Sequence, residues 1–140
     1  MTLTLPADCP KELLFVIAAA STGYRAWAIP LPPADFKPGA TLLINAASVE
    51  VAVRPGDAKP LAVLPGKSRI LPLREDLKAP MLPVQIFERR DAAQPWQIAQ
   101  STRWAVDLRF RSYLFLYHAS GNAQLLLHGI TERLAAPPAN

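Results

Sequence analysis

The chain is poor in the residues that most often carry chemistry. Its single cysteine, Cys9, excludes an internal disulfide framework and leaves the redox compartment open. Only two histidines, His118 and His128, are present. No apolar run approaches the ~18 residues that a membrane-spanning helix needs. The longest uncharged apolar run covers residues 13–20, about the length of a signal-peptide core, but Asp8 and Glu12 spoil the positive flank that Lys11 begins. A periplasmic or secreted location is the expectation only if Met1 begins a chain trimmed of its export signal. There is no G-x-S-x-G nucleophile elbow. Pro65-Gly66-Lys67 lacks the further glycines and the following helix of a phosphate-binding loop. A blue-copper set is missing too, because Cys9 and Met81 lie far in sequence from both histidines.

Proline is what the chain has in quantity. Fifteen prolines and six glycines cut the 140 residues into short apolar runs with turn chemistry between them. Residues 42–45, 49–54, 61–64, 68–71 and 82–89 are too short for stable helices and carry β-branched or aromatic side chains. Val49, Val51 and Val53 alternate with Glu50, Ala52 and Arg54, which predicts a packed valine face and a solvated one. Pro65-Gly66 has type II turn chemistry and predicts a hairpin between 61–64 and 68–71. Residues 95–104, 112–118 and 123–130 read as further strands. The absence of proline between Trp96 and Ala136 predicts that they are central ones. Residues 13–20 read as a buried strand rather than a helix, and 24–29 as its successor; 125–134 has a short helix as its alternative. The expected fold is one all-β antiparallel sandwich over residues 1–140, of immunoglobulin-like or related Greek-key layout, with room for one short helix. Residues 1–10 and 135–140 are expected to be frayed termini.

The net charge of +4 suits an anionic partner, but ten arginines and five lysines are scattered, and Arg89-Arg90 is the only adjacent basic pair. Nucleic acid is therefore a disfavoured partner. The least ordinary segment is 101–113, where Arg103, Arg109 and Arg111 interleave with Trp104, Phe110 and Tyr113. Arginine beside aromatics serves single-stranded nucleic acid platforms and protein interfaces alike, through stacking and forked hydrogen bonds. The plainer reading is that Asp107 pairs with Arg109 or Arg103 to fix a loop while Trp104 and Phe110 fill the core. In 112–118 both strand faces are apolar, so the second face needs a cover, from the same chain or from a partner. Arg103, Trp104, Arg109, Arg111, Tyr113 and Tyr117 form the candidate contact surface. No cofactor is implied.

The two histidines come onto neighbouring strands if 112–118 and 123–130 form a hairpin about Gly121. A metal would still need a third ligand, which no nearby cysteine or carboxylate supplies at ligand spacing. Carboxylates for acid–base work would have to come from Glu88, Asp91 and Asp107, and 88–91 reads as a solvated hairpin end with local ion pairs.

Leu-Leu-Ile-Asn-Ala-Ala from Leu42, Val-Glu-Val-Ala-Val from Val49 and Leu-Pro-Gly-Lys from Leu64 form an ordered series. With Ser-Thr-Arg-Trp from Ser101 and the run 113–117, it resembles uncharacterised bacterial β-sandwich domains, often found in exported proteins. The resemblance spans about half the chain and implies an immunoglobulin-like sandwich and export. It implies no catalytic or binding residue. The resulting expectation is a non-catalytic module acting by contact with another protein or with itself. The alternative is a small-molecule or metal-binding sandwich, with an enzymatic role open to it, using His118, His128 and Asp107.

Overall fold

The computed structural model describes the strands 13–20 and 23–30 as backbone, and residues 35–72, 81–119 and 121–134 in full. Strands β1 (Leu13–Ala20) and β2 (Gly23–Pro30) form a two-stranded antiparallel hairpin. The other eight are β3 (Thr41–Asn45), β4 (Glu50–Pro55), β5 (Leu61–Val63), β6 (Ser68–Leu71), β7 (Met81–Arg89), β8 (Gln97–Ala105), β9 (Phe110–His118) and β10 (Leu125–Arg133). They make two four-stranded sheets, ordered β10-β9-β3-β6 and β5-β4-β7-β8. Every pair is antiparallel except β3 with β9. The chain is thus all-β, and no helix occurs among the described residues; the helical alternative for 125–134 gives way to β10. The expected connection at 74–80, Cys9, the turn at 21–22 and the tail 135–140 lie outside the described residues.

Alternation builds the core. Leu43 from β3, Val51 and Val53 from β4, Val84 and Ile86 from β7 and Leu116 from β9 are at most 1% exposed and meet between the sheets. Each such side chain withdrawn from water contributes about 1.5–3 kcal/mol. The valine face of β4 is packed as expected. Its opposite face is less wet than the sequence suggests, because Ala52 is buried and Arg54 lies over the Phe87 ring at 5.3 Å.

The two parallel partners carry unbroken apolar runs, the mark of strands covered on both faces. Leu42, Ile44, Tyr113 and Phe115 form a second cluster on the outer face of their sheet, with Phe36 and Ala40. The second apolar face of β9 is therefore covered within the chain, with Tyr113 8% and Phe115 7% exposed. Backbone bonds extend the β3–β9 contact at both ends, Ser112 N to Ala40 O (3.1 Å) and Ala46 N to Leu116 O (2.8 Å).

Two expectations are overturned. Pro65-Gly66 does turn the chain, with Gly66 at φ 70° and Lys67 N donating to Leu64 O (3.0 Å). Yet β5 and β6 are not a hairpin: β5 pairs with β4 and β6 with β3, so the turn is a corner between sheets. Asn45 holds that corner, accepting from Gly66 N at its carbonyl oxygen (2.8 Å) and donating its own N–H to Lys67 O (3.0 Å). The proline-free stretch likewise supplies one central strand, β9, and two edges, β8 and β10. Pro83 lies inside central β7, where Gly56 N donates to its carbonyl (2.7 Å) just past the end of β4. Its missing N–H falls beyond the last β4–β7 pair, so little of the ladder is lost.

Candidate functional site

β7 and β8 pair with Leu82 opposite Trp104, and a bulge between Ile86 and Phe87 leaves Ala99 as the extra residue. That register turns Trp104 inward, where it packs against the core while still partly exposed. Beyond β8 the chain reverses on Asp107. Its Oδ1 accepts from Arg109 N (2.9 Å), its Oδ2 from Arg109 Nη2 (2.6 Å), and its carbonyl from Phe110 N (3.2 Å). The Arg109 guanidinium beside it holds the Asp107 carboxyl down at about 2. Arg109 in turn lies 5.8 Å from the Phe110 ring centroid.

The sandwich is closed on one side and open on the other. On the closed side β5 and β6 touch, and Arg69 Nη1 reaches across to Ala62 O (3.1 Å). On the open side no ladder joins β8 to β10 among the described residues. A cleft of about 500 Å³ opens between the sheets at one end, reaching from Gly129 of β10 past Leu114 and Phe110 to Leu71 of β6, and walled on the other sheet by Leu82, Trp104 and Val106. Arg103, Asp107, Ser112 and Thr131 give it a few polar points. Gly129 leaves the β10 wall bare, since a Cβ there would meet only Leu114 Cδ1, at 3.9 Å.

The six residues of the candidate surface do not form one surface. Arg103 and Trp104 line the cleft, and Tyr113 borders it at its strand. The Tyr113 phenol points to the opposite face of the sheet, donating to Glu132 Oε2 (2.9 Å) and meeting Phe36 edge-on at 5.3 Å. Burial first, then the bond to Glu132, push that phenol up to about 12. Arg111 belongs to the same cluster, with Nη2 on Glu132 Oε1 (3.1 Å), Nη1 on Phe36 O (3.2 Å) and its guanidinium over the Phe36 ring. Tyr117 packs against this second cluster. Arg109 stands exposed on its loop, its charge answered by Asp107. Strand alternation divides the set: 111, 113 and 117 share one face of β9, and the cleft lies on the other.

The constellation of His118, His128 and Asp107 is not assembled. His118 lies opposite Leu125 and His128 opposite Phe115, which sets them on opposite faces of the sheet. His118 Nε2 is 3.1 Å from Glu88 Oε2, where β7 bridges to β9 across the interlayer. Asp107 precedes the start of β9, at the other end of that strand. His128 is exposed and sits by the Phe115 ring, 6.4 Å between centroids. Nor are the charges of 88–91 local pairs, because Glu88 meets His118 and Arg89 meets Glu50 across the ladder. No group of three or more metal-ligating side chains occurs among the described residues.

Reading the sequence missed Gly129, Ile130 and Thr131. The signal Gly129 carries is that of a lone glycine within a strand pattern, which marks a place kept open for a close approach. No protein-family model, curated protein or solved structure matches the chain.

Proposed function

We propose that the chain is a non-catalytic binding module that acts by contact with another protein, received in the cleft between the two sheets. The observation that carries this reading is the cleft itself. It is an apolar recess beside Trp104 and Phe110, with Leu108, 64% exposed, in the loop next to it. Aromatic side chains in a recess with arginine at its rim are the composition of contact sites that anchor a partner's apolar side chain. The titratable groups nearest the cleft are already engaged: Asp107 is held ionised by Arg109, and the Tyr113 phenol is held protonated beside Glu132. Neither is poised for proton transfer near neutral pH.

A small apolar ligand is the second reading, favoured by one observation, a volume within the ~300–1,000 Å³ range of small-molecule sites. One experiment separates the two. A displayed peptide library is panned against the protein, and selected peptides are measured against Trp104→Ala and Gly129→Val, which strip and fill the cleft. Selected peptides that bind at least about tenfold more weakly to both variants, with thermal midpoints retained, support the protein-contact reading. Saturable binding of anilinonaphthalene sulfonate that Gly129→Val abolishes, with no peptide selected, supports the small ligand. Indifference of every probe to both variants overturns the cleft as the site.

A further inference from the structure

We infer that β10 is a pairing edge, and that its occupant is β10 of a second copy of this chain, antiparallel across a twofold axis at Ile130. The hydrogen-bond phase of the hairpin is the starting point. Leu134 N donates to Arg109 O (2.8 Å), and β9 and β10 keep one unbroken register from Leu125–His118 to Arg133–Phe110. In an antiparallel ladder, residues facing the partner alternate with residues facing away. Glu132, Ile130 and His128 therefore turn N–H and C=O toward β9. Arg133, Thr131, Gly129 and Leu127 turn theirs outward, along the edge of the sheet.

Among the described residues that edge lacks the usual protection. It runs for nine residues with no bulge and no proline, and 128–131 are exposed and hold no lysine, arginine, aspartate or glutamate. The other edges of the two four-stranded sheets differ. β8 has its bulge at Ala99, and Arg103 lies on it. β5 and β6 are three and four residues long and are bridged by Arg69.

Cross-strand complementarity, imidazole against carboxylate and apolar against apolar, selects the occupant and the register. With the axis at Ile130, Gly129 and Thr131 of one copy meet Thr131 and Gly129 of the other, both with outward backbone groups. On the outer face Ile130 meets its twin. Each His128 then lies opposite the Glu132 of the second copy. An axis at Glu132 would set carboxylate against carboxylate, and axes at Gly129 or Thr131 would leave Glu132 opposite Leu126 or Ile130. Only the Ile130 axis gives an apolar centre flanked on both sides by an imidazole facing a carboxylate, an arrangement a strand can make with a copy of itself. Ile130, 47% exposed in the single chain, loses that exposure in the pair.

The test is a disulfide across the axis. Ile130 and its twin form a non-hydrogen-bonded pair, whose short Cβ separation suits a disulfide. In a Cys9→Ser background, Ile130→Cys is compared with Met81→Cys, a residue of similar exposure (44%) on β7. The expected result is intermolecular cross-linking at least about tenfold faster at position 130. Thr131→Pro removes only an outward N–H and should weaken dimerisation, followed by light scattering across a concentration series, by about tenfold or more. Equal cross-linking at the two positions overturns the inference, whatever the proline variant does. Trp104→Ala changes the cleft and not this edge, so the dimer is expected to survive it. Failure of the cleft and failure of the edge are then read separately.

Discussion

At the scale of single residues, buried polar groups set the points where this molecule is least forgiving. Asn45 has no exposed surface, yet its amide is fully used: Nδ2 donates to Val49 O and Val63 O (both 2.8 Å), and Oδ1 accepts from Ala47 N (3.0 Å). One side chain thereby ties the end of β3 to the next turn and to β5. Asn45→Ala orphans two carbonyls and an N–H, each worth about 1 kcal/mol or more, so a loss of about 3 kcal/mol is expected in urea denaturation. Its effect should exceed that of an exposed substitution such as Ile98→Ala, which stays within ~0.5 kcal/mol. Tyr113 gives a pH signature. Its phenol is raised in the folded chain, so the stability it contributes is complete below the unfolded value of about 10 and is lost as pH rises from there through about 12. Tyr113→Phe is expected to cost about 1–2 kcal/mol at neutral pH and to flatten that alkaline decline, as thermal midpoints between those pH values would reveal.

At the scale of elements, turns and edges decide the connectivity that strand patterns leave open. Pro65-Gly66 was legible as a turn because only glycine takes a positive φ cheaply, and Gly66 has φ 70°. Gly66→Ala is expected to destabilise by about 1 kcal/mol, read from the denaturation midpoint at constant slope, because the backbone conformation is strained for any L side chain. Which strands such a turn joins was not legible. A tight turn serves a hairpin or a sheet-to-sheet corner equally well, and the anchoring of Gly66 and Lys67 on Asn45 makes this one a corner. The same gap explains the mistaken centrality of β8 and β10. Proline is excluded from central ladders, but its absence does not make a strand central, and Pro83 shows that a central strand accepts one where its neighbour has ended.

At the scale of the whole molecule, two four-stranded sheets touch along the β5–β6 side and are joined by no ladder along the β8–β10 side among the described residues, and the cleft opens between them at one end. Trp104 and Arg103 stood out in sequence because arginine beside aromatics is uncommon in a plain core. Their separation from Arg111 and Tyr117 came only with the fold, since alternate residues of β9 serve opposite faces. The apolar second face of 112–118, an argument for a partner when read in sequence, is satisfied inside the chain by Phe36 and Ala40. The case for association rests instead on the open side, on the cleft and on the outward backbone groups of β10.

Composition and local pattern by themselves determined the strands, most of their boundaries, the glycine turns and the paired apolar faces of β9, because each depends on residues within a few positions of one another. The pairing order, the parallel β3–β9 contact, the division of the arginine–aromatic segment and the open side were decided by the tertiary structure. They depend on which strands meet across distances of tens of residues, and period-two alternation carries no label for the partner.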